Sequence, residues 1–289
     1  MIHENIGYGY KFDDETKTII GGEHIKDYGF FSTFTLMLVS IINVYKDLDM
    51  IVENVDGRNL LKHLRQDEDI DMFHHFFNIN KDYVIDIDKS QIHKDLNLNE
   101  QHTIYKEENI KTFKPFFEKY FNLNDRVVGV IDNLKSKYGV DSEKSISVIY
   151  RDSDKWTDLG GFNYISPAFY FRIAKKLKTE NPDYKVLIQT ENPGIKRVFR
   201  EAFQATSIDE TLTSVTGEYP TFLTLRENKL NWADAYVAAL WIHSKSKYLI
   251  TYTGNSGFFV YLSRGTTKNM YQEITFTKND ENEFFVLNA

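Results

Sequence analysis

From Ser145 onward the chain alternates short β-branched runs with segments of helical spacing, and this alternation limits the fold more than any other feature. Ser145 to Tyr150, Tyr184 to Gln189, Thr221 to Leu225 and Tyr248 to Thr253 read as strands. Ser166 to Thr179, Asn192 to Phe203 and Trp232 to Ser244 read as helices, and Asn255 to Ser263 begins another. Pro167 and Pro193 stand at first helical positions, where the N–H that proline lacks would have no partner anyway. Strands and helices in this rhythm predict parallel βαβ units, in which ligands bind beyond the C-terminal ends of the strands.

The first half is less regular. Thr18 to Ile20 is a short strand ended by Gly21-Gly22, and Met50 to Val55 is another, closed by the turn pair Asp56-Gly57. The uncharged stretch from Gly29 to Tyr45 reads as a buried helix capped by Ser32 or Thr33. Ser32, Thr33, Thr35, Ser40 and Asn43 interrupt it, and it falls short of the ~20 apolar residues a membrane span needs. Asn59 to Leu64 reads as a brief helix, and Gln66 to Asn109 as irregular chain with short elements. From Ile110 to Tyr138 the apolar spacing turns helical, with Gly139 as the residue that ends the second helix. With 289 residues the chain has room for about two domains, placed here at 1–142 and 143–289.

Composition removes several function classes. The net charge is −7 and no basic run exceeds a few residues, which disfavours a nucleic-acid partner. Cysteine is absent, so disulfides, thiolate nucleophiles and cysteine-based zinc sites drop out. The N-terminus lacks a basic-then-apolar leader, and with no transmembrane segment the expectation is a soluble cytoplasmic protein. His74-His75 and the scattered histidines show no zinc spacing, and Asp86-Ile87-Asp88 reads as a solvated face, so no metal is expected. There is no P-loop and no nucleophile elbow.

Three βα junctions carry the polar chemistry. Tyr150 leads into Arg151-Asp152-Ser153-Asp154-Lys155-Trp156; Gln189 into Thr190-Glu191-Asn192; Tyr252 into Thr253-Gly254-Asn255-Ser256-Gly257. Singly, these read as a surface ion pair, a capping signal and a turn. Together, at strand ends on one sheet edge, they can converge on one ligand. Arg151 offers permanent charge and paired donors for a diphosphate, and the glycine-rich turn exposes backbone N–H groups at a helix start.

The segment Arg151 to Lys155 resembles the His-Val-Arg-Arg-x-Asp-Lys motif of the fucosyltransferase superfamily. That resemblance implies a GT-B fold, an α/β architecture of two Rossmann-like domains facing across a cleft, and a metal-independent inverting transferase using GDP-fucose. By it, Arg151 contacts the donor diphosphate, and Asp154 and Lys155 end the motif. Thr190-Glu191, Asp234 and Ser256 fall on further family positions, with Asn255 and Gly257 in the same loop as Ser256. Gly29-Phe30 matches the glycine loop that faces the donor phosphates from the first domain. The match covers about residues 145 to 265 and departs at Ile149 (histidine in the family) and at Asp152 (a second arginine), and the glycine loop lacks the usual Asn. The expected partners are a nucleotide-sugar donor and a glycan acceptor, with no separate cofactor.

In such a transfer Arg151 neutralises the leaving diphosphate, with the hydroxyl of Ser256 and backbone N–H groups near Gly254 to Gly257 assisting. Asp158, Glu23 and His24 are the candidate general bases, and Gly161 to Tyr164 could line an acceptor site. A UDP- or other NDP-sugar donor, a non-catalytic nucleotide- or glycan-binding protein, and a sugar-nucleotide epimerase stand as alternatives.

Overall fold

The computed structural model describes residues 1–22, 29–64, 69–92, 105–151, 166–211, 229–273 and 284–287. The chain is mixed α/β, and its contacts divide it into two units: 1–101 with 107–128, and 102–106 with 129–289. The division falls inside the helix Asp125–Tyr138.

In the first unit, strands β1 (Ile2–Gly7), β2 (Tyr10–Asp13), β3 (Thr18–Gly21) and β4 (Asn54–Asp56) form one sheet in that order. The first three run antiparallel to their neighbours, and only β3 and β4 are parallel. The sheet is therefore a hairpin meander with one βαβ unit, not the parallel sheet of a Rossmann-like half. The tight turn between β1 and β2 explains the meander's start: Tyr8 and Gly9 both take positive φ (51° and 85°), as a two-residue hairpin requires.

Helix α1 (Phe30–Asp47) connects β3 to β4 and begins two residues before the predicted cap, with Gly29 at the N-cap position. It is buried nearly all round, as its uncharged sequence predicts. Its polar residues satisfy the hairpin beside it: Ser40 Oγ donates to the Gly7 carbonyl at 3.0 Å and Asn43 Nδ2 to that of Ile6 at 3.0 Å. Conversely, the Tyr10 hydroxyl donates to the Thr33 carbonyl at 2.8 Å. The apolar side packs Phe30 and Phe34 against Phe76, Phe77 and Phe121 in edge-on contacts. Helix α2 (Glu107–Tyr120) and a two-stranded ribbon of β5 (Phe77–Asn78) and β6 (Asn122–Leu123) complete the unit. The predicted helix at 59–64 is only a single 3-10 turn, Lys62–Leu64. Helix α3 (Asp125–Tyr138) ends at Gly139, whose φ of +58° is the left-handed value expected of a helix-ending glycine.

The second unit is built on β7 (Ser145–Ile149), β8 (Lys185–Gln189), β9 (Tyr248–Tyr252), β10 (Met270–Glu273) and β11 (Phe284–Leu287), in spatial order β11-β10-β9-β7-β8. All neighbours are parallel except β10 and β11. Thr206 extends the far edge through a parallel bridge to Leu187, exchanging backbone hydrogen bonds of 2.9 Å with Val186 and Ile188. Counting that bridge as a vestigial strand, the order is that of a Rossmann sheet, 3-2-1-4-5-6, with the last strand reversed. The helices agree. Helix α4 (Pro167–Glu180) packs with α5 (Pro193–Phe203), and α6 (Lys229–Ser244) packs with α7 (Asn255–Arg264). Right-handed crossovers put helices on opposite faces when the strand order reverses, here between β7 and β9. All five residues of β7 are buried, as expected of a central strand covered on both faces. Buried among them is Ser147, bonded to His243 Nδ1 of α6. Burial pulls the His243 imidazole down to about 3, so it is a neutral core residue.

No helix among the described residues is long and apolar enough to cross a membrane.

Candidate functional site

A parallel sheet offers its ligand site where the strand order reverses, because there the two flanking loops diverge and leave a crevice. In the second unit that point lies between β7 and β9, and the chain leaving them supplies Tyr150-Arg151 and Thr253 to Gly257. Thr190 and Glu191 leave the neighbouring β8.

The residue that ties these junctions together is Tyr236, on α6. Its hydroxyl lies 3.4 Å from Ser256 Oγ at the start of α7. Burial raises the phenol above its ordinary range, Tyr252 and Glu191 push the same way, and the Arg151 guanidinium and the Ser256 hydroxyl oppose them. Arg151, Glu191 and Ser256, from three separate βα junctions, therefore act on one phenol. Its ring stacks on Trp232, one helical turn earlier, with centroids 5.0 Å apart. Trp232 is anchored by its indole N–H, which donates to the Thr211 carbonyl at 3.1 Å. Sequence reasoning missed Tyr236 because α6 is apolar all round and its spacing singles out no face.

Glu191 is half-buried at the end of the second strand of the Rossmann order. Thr190 is buried, and its hydroxyl accepts from Asn192 N at 3.1 Å. Asn192 is the cap the sequence suggests, accepting from Gly194 N at 2.9 Å and Ile195 N at 3.1 Å. Asp234 is buried in the second turn of α6, five residues past its start.

The glycine-rich turn is more structural than the sequence suggested. The Gly254 N–H donates to the Tyr105 hydroxyl at 3.2 Å, and the Thr253 N–H to the Glu273 carbonyl at 3.1 Å. Neither amide is therefore available to an anion, which corrects the expectation for that end of the loop. A Cβ on Gly257 would stand 2.2 Å from the Tyr252 carbonyl oxygen and 3.0 Å from the Tyr105 hydroxyl. Glycine is needed there so that α7 can approach β9 closely. Asn255 and Ser256 occupy the first turn of α7, whose N–H groups have no intrahelical acceptor.

Glu273 ends β10 on the same edge of the sheet, opposite Tyr252 of β9. It is 5% exposed; its Oε1 accepts from Ser166 N at 3.2 Å, and its Oε2 has no hydrogen-bond partner among the described residues. Burial pushes its carboxyl up to about 7, against the opposing pull of the Tyr170 hydroxyl and the Ser166 N–H.

Of the remaining candidates, Gly29 is the N-cap of α1 in the first unit, and the ring of Phe30 is core, only 4% exposed. Glu23, His24, Asp154, Lys155, Asp158, residues 161–164 and the strand expected at 221–225 lie outside the described residues. His74 is committed to the first unit, its Nε2 lying 3.1 Å from the Val55 carbonyl. Asp88 caps the turn at Ser90 (2.9 Å), and Asp86 is exposed. Among the described residues no group of three or more His, Asp or Glu side chains could hold a metal ion.

No protein-family model matches the chain, and no curated protein matches it.

Proposed function

We propose that the second unit binds a nucleoside-diphosphate sugar at the reversal between β7 and β9, and that the protein is a metal-independent, inverting glycosyltransferase. The observation that carries this is that Tyr236, in contact with Ser256, also feels the charges of Arg151 and Glu191 at the switch point of a Rossmann-ordered sheet. Arg151 supplies the charge a diphosphate needs, and α7 points its first turn, with Asn255 and Ser256, at the same crevice. Glu191 stands at the end of the second strand, where Rossmann sheets carry the acid that accepts a ribose hydroxyl. The resemblance of residues 151 to 155 to the fucosyltransferase motif makes GDP-fucose the first donor to try.

As the bond between the anomeric carbon and the diphosphate breaks, negative charge grows on the departing oxygen. Arg151 and the Ser256 hydroxyl offset it from fixed positions, the arrangement that stabilises a transition state more than a ground state. The test is turnover: purified protein with GDP-fucose, a UDP-hexose or an ADP-hexose, each in EDTA, with release of the nucleoside diphosphate followed by chromatography. Release from one donor, abolished by Arg151→Ala, is the expected result. If none of the donors is turned over, with or without a glycan acceptor, the transferase reading fails. A protein that binds nucleotide without releasing sugar would instead be the non-catalytic binder.

A further inference from the structure

In the described residues of the second unit two carboxyl side chains are buried, Asp234 and Glu273, and only Glu273 lies at a strand end. The parallel registers place it in a row. Val148, Ile250 and Tyr271 pair across β7, β9 and β10, and two residues further on the same row brings Tyr150, Tyr252 and Glu273 to the C-terminal edge. Neighbouring strands are about 4.8 Å apart, so Glu273 stands roughly 10 Å from the strand that delivers Arg151. An in-line displacement places the leaving diphosphate on one side of the anomeric carbon and the attacking hydroxyl and its base on the other, and two strand spacings set these groups apart.

The surroundings of the carboxyl are neutral. Tyr150, Tyr252 and Glu273 all bear on the Tyr170 hydroxyl from α4, and Tyr150 and Tyr170 meet edge-on with ring centroids 5.1 Å apart. The remaining contact is the Ser166 N–H at the foot of α4, and among the described residues no charged group contributes to the environment of Glu273. One oxygen is thus held by a backbone donor, while the other, with the Tyr170 hydroxyl near the carboxyl, has no hydrogen-bond partner among the described residues. A buried polar atom in that condition is costly and calls for a reason.

On the donor-binding reading above, we propose that Glu273 is the proton acceptor of the site. To attack the anomeric carbon, the acceptor hydroxyl must displace the groups that cover Oε2 of Glu273 in the free protein and donate to that oxygen. As the new carbon–oxygen bond forms, its proton passes to the carboxylate, and the electron pair of the broken bond leaves with the diphosphate. Glu273 stands in place of Asp158, Glu23 and His24, the bases suggested by sequence.

Glu273→Gln separates this from a purely architectural role, because the amide keeps its size and its acceptor for Ser166 N but takes no proton. The expected outcome is release of GDP from GDP-fucose slowed by about a hundredfold or more, with the GDP-induced thermal shift and the donor KM unchanged. The wild-type rate rises with pH through a midpoint near 7, and the variant loses that limb. A variant that binds GDP and turns over at the wild-type rate with the wild-type pH profile overturns the assignment and leaves the donor site standing. A wild-type protein that binds no nucleotide removes the donor site and this role together. Should the Gln variant not fold, carboxyl-carbon NMR of the wild-type protein decides. A glutamate titrating near 7 and shifted upward by bound GDP is expected, and the absence of any glutamate above the ordinary range of about 4.3 overturns the proposal.

Discussion

The two ends of the second unit's sheet each hold an arginine, and the contrast between them separates architecture from chemistry. At the N-terminal end Arg264 donates five hydrogen bonds, all to backbone carbonyls: to Ser244 at 3.1 Å and Ser246 at 2.6 Å through Nη1, to Lys247 at 3.0 Å and Lys268 at 2.7 Å through Nη2, and to Lys268 at 3.3 Å through Nε. Those carbonyls belong to the end of α6 and the turns around β9, where helix geometry leaves acceptors without donors. Burial pulls the guanidinium down to about 10, still protonated at neutral pH. Arg151, at the C-terminal end, leaves a strand tip and bears on the Tyr236 phenol, on which Glu191 and Ser256 also act. One cation closes a fold; the other stands at the proposed site. Lys245 and Lys185 side with Arg264, giving their ammonium groups to the carbonyls of Ser263, Tyr138 and Gly139.

The contrast predicts opposite phenotypes. Arg151→Ala should lower turnover by about a hundredfold or more, near 3 kcal/mol of transition-state stabilisation, while the melting temperature changes little. Arg264→Ala should do the reverse, losing about 3 kcal/mol of stability because several buried carbonyls lose a charged donor, with nucleotide affinity at low temperature unchanged. Chemical denaturation and turnover on both variants decide the matter, and matching phenotypes would break the distinction.

Glu273 sharpens it through pH. Its folded carboxyl titrates near 7, above the unfolded value near 4.5, so the stability it confers is complete below 4.5 and is lost as pH rises through 7. The difference in stability between wild type and Glu273→Gln should therefore move against the wild type by up to about 3 kcal/mol between pH 4 and pH 8, read from denaturant midpoints. A pH-independent difference would mean that the carboxyl is not held up by burial.

The glycines divide in the same way. Gly257→Ala forces a Cβ to within 2.2 Å of a carbonyl oxygen and should cost about 2 kcal/mol by pushing α7 off β9. Among the described residues Gly29→Ala meets nothing nearer than Ser32 Oγ at 3.5 Å, at a φ of −61° that any residue adopts, and should shift stability by no more than about 0.5 kcal/mol. A loss of turnover without loss of stability in Gly29→Ala would support the donor-loop role that the sequence resemblance implies.

Much of the second unit was legible in the sequence because its signals are local. Pro167, Asn192 and Gly139 mark helix ends by their own backbone chemistry, and the apolar runs of β7, β8 and β9 read as buried strands. The strand order was not legible, since Thr206 joins the sheet by a single bridge that no periodicity announces. Nor was β10, whose Met270-Tyr-Gln-Glu is buried through its parallel pairing with β9 and not through an apolar pattern. Glu273 and Tyr236 were missed for that reason: each owes its place to register or to a helix face chosen by neighbours distant in the chain. In the first unit the glycines and β-branched runs marked turns and short strands, but the antiparallel pairing of β1 to β3 depends on the Tyr8-Gly9 hairpin, in which a tyrosine takes the left-handed conformation.

The most direct test of the central claim is a metal-free thermal-shift panel of GDP, UDP, ADP and CMP on wild type, Arg151→Ala and Arg264→Ala. A nucleotide at a hundred times its dissociation constant adds about 2.7 kcal/mol of stability. A crevice between β7 and β9 that holds a diphosphate through Arg151 predicts a clear rise with one nucleoside diphosphate, kept in Arg264→Ala from a lower starting temperature and lost in Arg151→Ala. No rise with any nucleotide in the wild-type protein, or an equal rise in Arg151→Ala, would contradict it.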